Sequence, residues 1–443
     1  MRRSLVALLS LLASVAELRA QQPIVAFTNV HVIPMTRDTV LQNQTVIVRH
    51  GRIASIGPAS RLVVPDGARR IDGAGRSWLV PGLADMHVHL FDRGEFLMYL
   101  VNGITTVLNL HGIPRHLAWR DSIARGELLG PRLFTSGPIL DGDPPTRGTN
   151  TVLRTREEAE RAVAEQKAAG FDLIKIYDNV PRDLYEALSG AARRAGLPLV
   201  GHVPTPVGLA GLLEVQGQNG IEHVEELLPF FRGGRDTSGL GQAARALAEQ
   251  GVWVTPTMTV FLSARDQAID WAAVQARPEM HYMNAETMTT WGWGPTGEGR
   301  NGNPGAREEF NRTVFFFETH MIPALHRAGV RLLAGSDAPI AAIVPGFSLL
   351  DELKSFARSG LTPYESLATA TSNPAVFMGR RGEFGTIEVG AAADLVLLGA
   401  NPLADIGNLA SRMGVMRQGV WLSQDELNRR MDELVKQRHQ PNR

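Results

Sequence analysis

Between Leu83 and Asp337 short apolar, β-branched runs alternate with amphipathic stretches, and this alternation constrains the fold more than any other feature. Strands are expected at Leu83–Leu90, Ile104–Leu110, Arg132–Ser136, Leu173–Tyr177, Leu199–Val203, Ile221–Glu225, Trp253–Thr257 and Leu332–Asp337. Helices fall between them, as at Thr155–Ala169, Arg182–Ala195, Gly239–Glu249 and Arg307–Ala328, each with one apolar and one polar face. Thr155-Arg-Glu-Glu158 has the pattern of a capping box. A strand followed by a crossover helix, repeated eight times, implies an α/β fold in which a parallel sheet closes into a (β/α)8 TIM-like barrel. An open doubly wound sheet is the alternative. No Gly-x-Gly-x-x-Gly follows the first strand, which argues against it.

The flanks read differently. Ile24–Ile33, Thr45–Gly57 and Arg70–Asp72 are short β-branched strands with Gly turns, and a similar block returns at Gly385–Leu398 and Val415–Leu422. A small β-sandwich domain built from both chain ends, 24–80 plus 383–422, is expected beside a barrel at 81–382, with a helical tail at 423–443. The segment 261–306 interrupts the alternation with Trp271, His281, Trp291, Trp293 and a Gly-rich run from Gly292 to Gly305, and is expected to be a lid over the active site, with a mobile loop or a subunit contact as equal alternatives. Arg2 and Arg3, the apolar run Leu5–Ala16 and the small residue Ala20 fit a secretory signal peptide at 1–20, too short to span a bilayer comfortably. The mature chain is therefore expected to be exported, periplasmic or secreted, without stable membrane insertion. Lys plus Arg equals Asp plus Glu at 45 each, so no net field favours nucleic acid. With no cysteine, thiolate ligands, disulfides and a Cys nucleophile are excluded.

Barrel active sites collect residues from the C-terminal ends of several strands. Here those ends carry His87 and His89 on the first strand, Lys175 on the fourth, His202 on the fifth, His223 on the sixth and Asp337 on the eighth. His87 and His89 share a strand face, so two imidazoles can meet one metal ion. Lys175 between Ile174 and Ile176 has no ordinary structural reason, because burying an ammonium is costly. Tyr177 shares the inward face of Lys175, and His111 follows the second strand at the same rim, so both are candidate substrate contacts. Arg115 is a carboxylate binder or, more simply, a surface residue.

Taken together, Pro81-Gly-Leu-Ala-Asp-Met-His-Val-His89, Ile174-Lys-Ile176, Gly201-His202, Ile221-Glu-His223, Gly335-Ser-Asp337, Ala370-Thr-Ser-Asn-Pro-Ala375 and Gly385–Asp394 resemble the amidohydrolase superfamily of metal-dependent hydrolases. The resemblance runs from about Ile24 to Leu422 and is strongest to the imidazolonepropionase-like and Xaa-Pro dipeptidase (prolidase) branch. It implies two divalent metal ions, usually zinc. His87, His89 and Asp337 would hold one ion, His202 and His223 the other, and Lys175, N-carboxylated by carbon dioxide, would bridge them. It implies a metal-bridging hydroxide as nucleophile, with Asp337 as the catalytic proton shuttle. The expected reaction is hydrolysis of an amide bond in a small molecule such as a dipeptide or an N-acyl amino acid. A lactonase or phosphotriesterase-like esterase and a cyclic amide hydrolase use the same groups, and a non-catalytic metal-dependent binding protein is a further alternative. The segments after the fifth- and sixth-strand histidines, Val203-Pro-Thr-Pro-Val207 and Val224-Glu-Glu226, depart from the dipeptidase pattern, which leaves the substrate open. A homo-oligomer is compatible with all of these.

Overall fold

The computed structural model describes residues 24–230, 237–291 and 304–438. In chain order, β1 (Val25–Val32), β2 (Leu41–Arg49), β3 (Arg52–Pro58) and β4 (Arg69–Pro81) lead into the α/β region. There β5 (Leu83–Val88), β6 (Ile104–Asn109), β7 (Arg132–Thr135), β8 (Leu140–Asp141), β9 (Thr151–Val152), β10 (Ile174–Ile176), β11 (Leu199–Gly201), β12 (Gly220–Glu222), β13 (Trp253–Thr255) and β14 (Arg331–Leu332) follow. The chain closes with β15 (Leu395–Leu398), β16 (Arg412–Arg417), β17 (Val420–Ser423) and a helix at Gln424–Arg438. No helix among the described residues is long and apolar enough to cross a membrane. The expected signal peptide, and residues 292–303 of the expected lid with Trp293, lie outside the described residues.

The strands of the α/β region form two parallel sheets rather than one continuous one, in the orders β5-β6-β7 and β14-β13-β12-β11-β10-β8-β9. Single bridges join them, from Ser136 just after β7 to Leu173 just before β10 at one seam and from Val88 of β5 to Ala338 beyond β14 at the other. The eighth strand is shorter than its apolar run. Beyond Leu332 the chain divides its hydrogen bonds between unlike partners: Leu333 N–H donates to Val254, Ala334 N–H to Thr369 and Asp337 N–H to His87. At Asp337 φ is 58°, a left-handed conformation that breaks the regular ladder. Apolar residues of these strands and their helices form one large buried cluster.

Helix Arg182–Ala195 begins and ends as the sequence implies. At Thr155 the side chain accepts from Glu158 N–H, but Glu158 accepts from Arg154 rather than closing the box. The expected helix Arg307–Ala328 is interrupted: Pro304–Phe316 and Ile322–Arg327 flank a π-turn at Phe317–Met321. Pro323 has no N–H to donate into the preceding turn, and the wider turn absorbs the defect.

Both chain ends meet in one seven-stranded sheet, ordered β17-β16-β15-β4-β1-β2-β3. It is curled. Four strand steps separate β1 from β17, roughly 19 Å in a flat sheet, yet the rings of Phe27 and Trp421 lie 5.3 Å apart. The single sheet thus encloses its own apolar core, including Val30, Val46, Leu79 and Leu397. It is fastened to the α/β region by Asp394, which accepts from Arg417 at 2.9 Å and from Arg132 at 3.3 Å. Burial alone would raise the Asp394 carboxyl, but the two guanidiniums hold it below the ordinary carboxylate range. Asp394→Asn leaves Arg417 buried without its counter-charge and is expected to cost about 3–5 kcal/mol at neutral pH. Because the folded pKa is depressed, this contribution is complete above the unfolded value of about 3.9. It fades as pH falls through the lower folded value. Denaturant unfolding of both proteins at pH 7 and in acid checks this; a gap that does not shrink in acid would exclude the charge as its source.

Candidate metal centre

His87 near the end of β5 and His89 just beyond it leave the core together, with ring centroids 5.4 Å apart. His87 Nδ1 lies 2.8 Å from the buried Glu222 Oε2, so the proton sits on Nδ1 and the Nε2 lone pair faces inward. That lone pair meets the Asp337 carboxylate at 3.3 Å, and His89 Nε2 meets the same oxygen at 2.9 Å.

On the other side, His202 Nδ1 is flanked by Asp178 at 2.6 Å and Glu226 at 2.9 Å. Burial alone would lower the His202 ring, but the two carboxylates on Nδ1 hold a proton there and raise it, and Nε2 is buried with no partner. His223, at φ 72°, has Nδ1 2.7 Å from the Thr257 hydroxyl. Its ring is 4.7 Å from His87 and 4.8 Å from His202, and so joins the two sides. Burial drives the pKa of both His87 and His223 down, which favours the neutral imidazole that binds metal.

Lys175 points into the same space from β10. It is 1% exposed and its Nζ has no hydrogen-bond partner. Burial lowers its pKa, opposed by the charges of Glu222 and Asp337.

All six expected ligands, together with Tyr177 and His111, line one cavity of about 530 Å³. His111 stands with its ring 6.3 Å from that of His89. Arg115 does not reach the cavity; it lies over the Trp119 ring at 5.3 Å on the outside. Phe91, Ile139, Val260, Trp291 and Ile340 supply apolar wall, Arg147 supplies charge and Glu225 a buried carboxyl group. Burial pushes the Glu225 carboxyl up to about 8.

Trp291 brings the expected lid to the wall, its indole N–H donating to Pro339 at 2.9 Å. The lid's described part is helical, at Met258–Ile269, Trp271–Gln275 and Ala285–Thr290, with a 3₁₀ turn at Pro278–Tyr282. It is tied down beside Phe91: Asp92 accepts from Asn284 at 2.8 Å and from Arg438 of the last helix, which also donates to the Tyr282 carbonyl.

Sequence reasoning did not assign Glu222, Asp178, Glu226 or Thr257. Glu222 carried a signal, an acid inside an apolar strand next to His223. The others are ordinary loop residues until folding brings them to an imidazole. They matter because the group bonded to one ring nitrogen orients the other and makes it more basic. Glu222→Gln is expected to weaken zinc binding by about 10–100-fold, read by competition with a chromophoric chelator. Unchanged affinity would remove Glu222 from the orienting set.

Comparison with known proteins gives consistent relatives. The sequence profile of the Amidohydrolase family matches residues 78–422. Imidazolonepropionase of Maricaulis maris (strain MCS10) is 26% identical over 403 residues, covering 83% of this chain and 90% of that protein. Among solved structures, the bottromycin amidohydrolase matches with a TM-score of 0.77 at 25% identity, over 96% of this chain and 93% of its own. A putative prolidase from Bifidobacterium longum matches with a TM-score of 0.69 at 25% identity, over 95% and 100%.

Proposed function

From the premise that this chain belongs to the amidohydrolase family and is a hydrolase of carbon–nitrogen bonds, we propose that it is a binuclear metal-dependent amidohydrolase. Its substrates are small amides such as dipeptides or N-acyl amino acids. In this reading the two bridged parallel sheets are the (β/α)8 barrel, the cavity is its mouth, and residues 1–20 are an export signal.

One observation carries the metal reading: potential ligand atoms converge, and several of them, His202 Nε2, Asp337 Oδ1 and Lys175 Nζ, are buried without a hydrogen-bond partner. His87 Nε2 and the unpartnered His202 Nε2 turn inward with the Asp337 carboxylate among them, and the protons that would separate these groups are committed outward to Glu222, Asp178 and Glu226. Such a set is stable around cations. The ligand atoms of His87, His89 and Asp337 all lie within 4.8 Å of one another, which suits one ion. His202 and His223 would hold the second. Lys175 fits the bridging place as a carbamate: its neutral amine adds to carbon dioxide through a new N–C bond and releases a proton. The product is an anion with two oxygens in place of an unpaired buried cation.

Bound divalent ions supply Lewis acidity and a water of lowered pKa. The residues do the rest. Asp337, ionised at working pH, accepts the proton of the attacking water and delivers it to the leaving nitrogen. The Tyr177 hydroxyl accepts from Arg147, so its own hydrogen is free to donate to a substrate oxygen. The apolar wall excludes water from the reacting bond.

The test is a hydrolysis panel on zinc- and bicarbonate-loaded protein, with and without chelator. It would hold dipeptides including Xaa-Pro, N-acyl amino acids, lactones and an aryl phosphotriester. Chelator-sensitive release of amino acids is expected. Activity confined to lactones or the phosphotriester would replace the amidase reading with an esterase one.

A further inference from the structure

We propose that Arg147 is the receptor for a carboxylate on the leaving-group side of the substrate, so that this enzyme acts on amides whose amine part is an amino acid with a free carboxyl group. The inference rests on the amidohydrolase reading of the same cavity and names the feature by which that cavity selects.

Arg147 lines the cavity, and among the described residues no carboxylate pairs with it. Its Nε donates to the Tyr177 hydroxyl at 3.0 Å, and its guanidinium carbon lies 5.7 Å from the centre of the Tyr177 ring. With Nε engaged, the edge formed by the two terminal amino groups is left for a planar, two-oxygen acceptor. That is the geometry of a bidentate carboxylate.

The side chain is placed by its loop. Asp141, fully buried, accepts from Gly142 N–H and Asn179 N–H on one oxygen, and from Thr146 N–H and Asn150 Nδ2 on the other. Asn179 Nδ2 in turn donates to the Pro144 carbonyl at 2.9 Å. At Gly142 a Cβ would fall 1.8 Å from the Asn179 carbonyl oxygen, so only glycine permits this approach. The turn before Arg147 is therefore fixed before substrate arrives, while the exposed Arg147 side chain is held by its bond to Tyr177.

Position and charge agree. The Tyr177 ring lies 4.0 Å from that of His202, which puts the guanidinium within about 10 Å of the His202 ring. A guanidinium–carboxylate pair occupies about 4 Å of that span. The remainder suits a carboxylate one or two carbons from the scissile nitrogen. Lys175, the other basic residue of the wall, sits at the cavity floor, so the carboxylate end is oriented towards the mouth. Arg115, which sequence alone nominated for this task, is outside.

The probes are L-alanyl-L-leucine and L-alanyl-L-leucinamide, which differ only in the carboxylate. On the zinc-loaded enzyme the free acid is expected to be cleaved about 100-fold more efficiently than the amide. Arg147→Met should lose about 100-fold on the acid, chiefly in KM, and at least tenfold less than that on the amide. Arg147→Lys should fall between, keeping the charge and losing the fork. Equal losses on acid and amide would mean that Arg147 serves Tyr177 or the loop, and would overturn the proposal. So would a wild-type enzyme that does not distinguish the two probes. If the wild type cleaves neither probe, the amidase reading fails on its own. Calorimetric binding of the intact acid and amide to the metal-loaded proteins then decides the subsite. Tighter binding of the acid, abolished in Arg147→Met, supports it, and equal binding of acid and amide excludes it.

Discussion

Asp337→Asn is expected to lose at least about a thousandfold in kcat while keeping most of its metal. The substitution preserves shape and one carbonyl oxygen. Asn also tolerates the left-handed backbone that Asp337 adopts at φ 58°, so the fold is not the casualty. What disappears is the ionised carboxylate within 3.3 Å of His87 and 2.9 Å of His89, and with it the proton acceptor for the attacking water. Metal analysis by plasma mass spectrometry and steady-state kinetics on the same preparation separate the two roles. Near-normal turnover would dismiss the proton-shuttle assignment; loss of turnover together with all metal would reduce Asp337 to a ligand.

Lys175→Met carries the second large effect, and its signs are opposed. The methionine keeps most of the volume of a side chain packed between Ile174 and Ile176 and removes the charge. One metal equivalent per chain should be lost and turnover should fall by about a thousandfold or more. The metal-free protein, by contrast, should be at least as stable as wild type, because an unpartnered buried ammonium is removed. A lysine kept only for structure would give the reverse: lower stability and unchanged metal. Full metal content with full turnover in the variant would exclude the bridging role.

Much of this was legible because the chemistry is written at strand ends. His87 and His89 are adjacent by alternation, and Lys175 between two isoleucines announces itself. Three further strands only had to be recognised as parallel for their terminal polar residues to converge. The shell behind the ligands was not legible. Asp178 and Glu226 come from different loops and share one nitrogen of His202, a meeting that no spacing encodes. Arg115 and Arg147 look alike in sequence; one stacks on Trp119 outside, while the Asp141 hub carries the other to the cavity. The interrupted helix at Phe317–Met321 had its cause in plain view at Pro323. Where the eighth strand stops could not be read, because it depends on which neighbours offer hydrogen bonds.

The curled sheet bears on how the protein is made. Leu395 pairs with Pro81 and Leu398 with Trp78, residues roughly 300 positions apart in the chain. A ribosome adding about 5–20 residues per second needs roughly 15–60 s to cover that distance. Throughout that interval one edge of β4 has no mate, and the apolar face holding Phe27 and Leu79 has nothing to close over it. The nascent protein therefore passes through a long stage with an open, sticky sheet, and a chaperone that shields that edge would govern its yield more than any single contact in the finished fold.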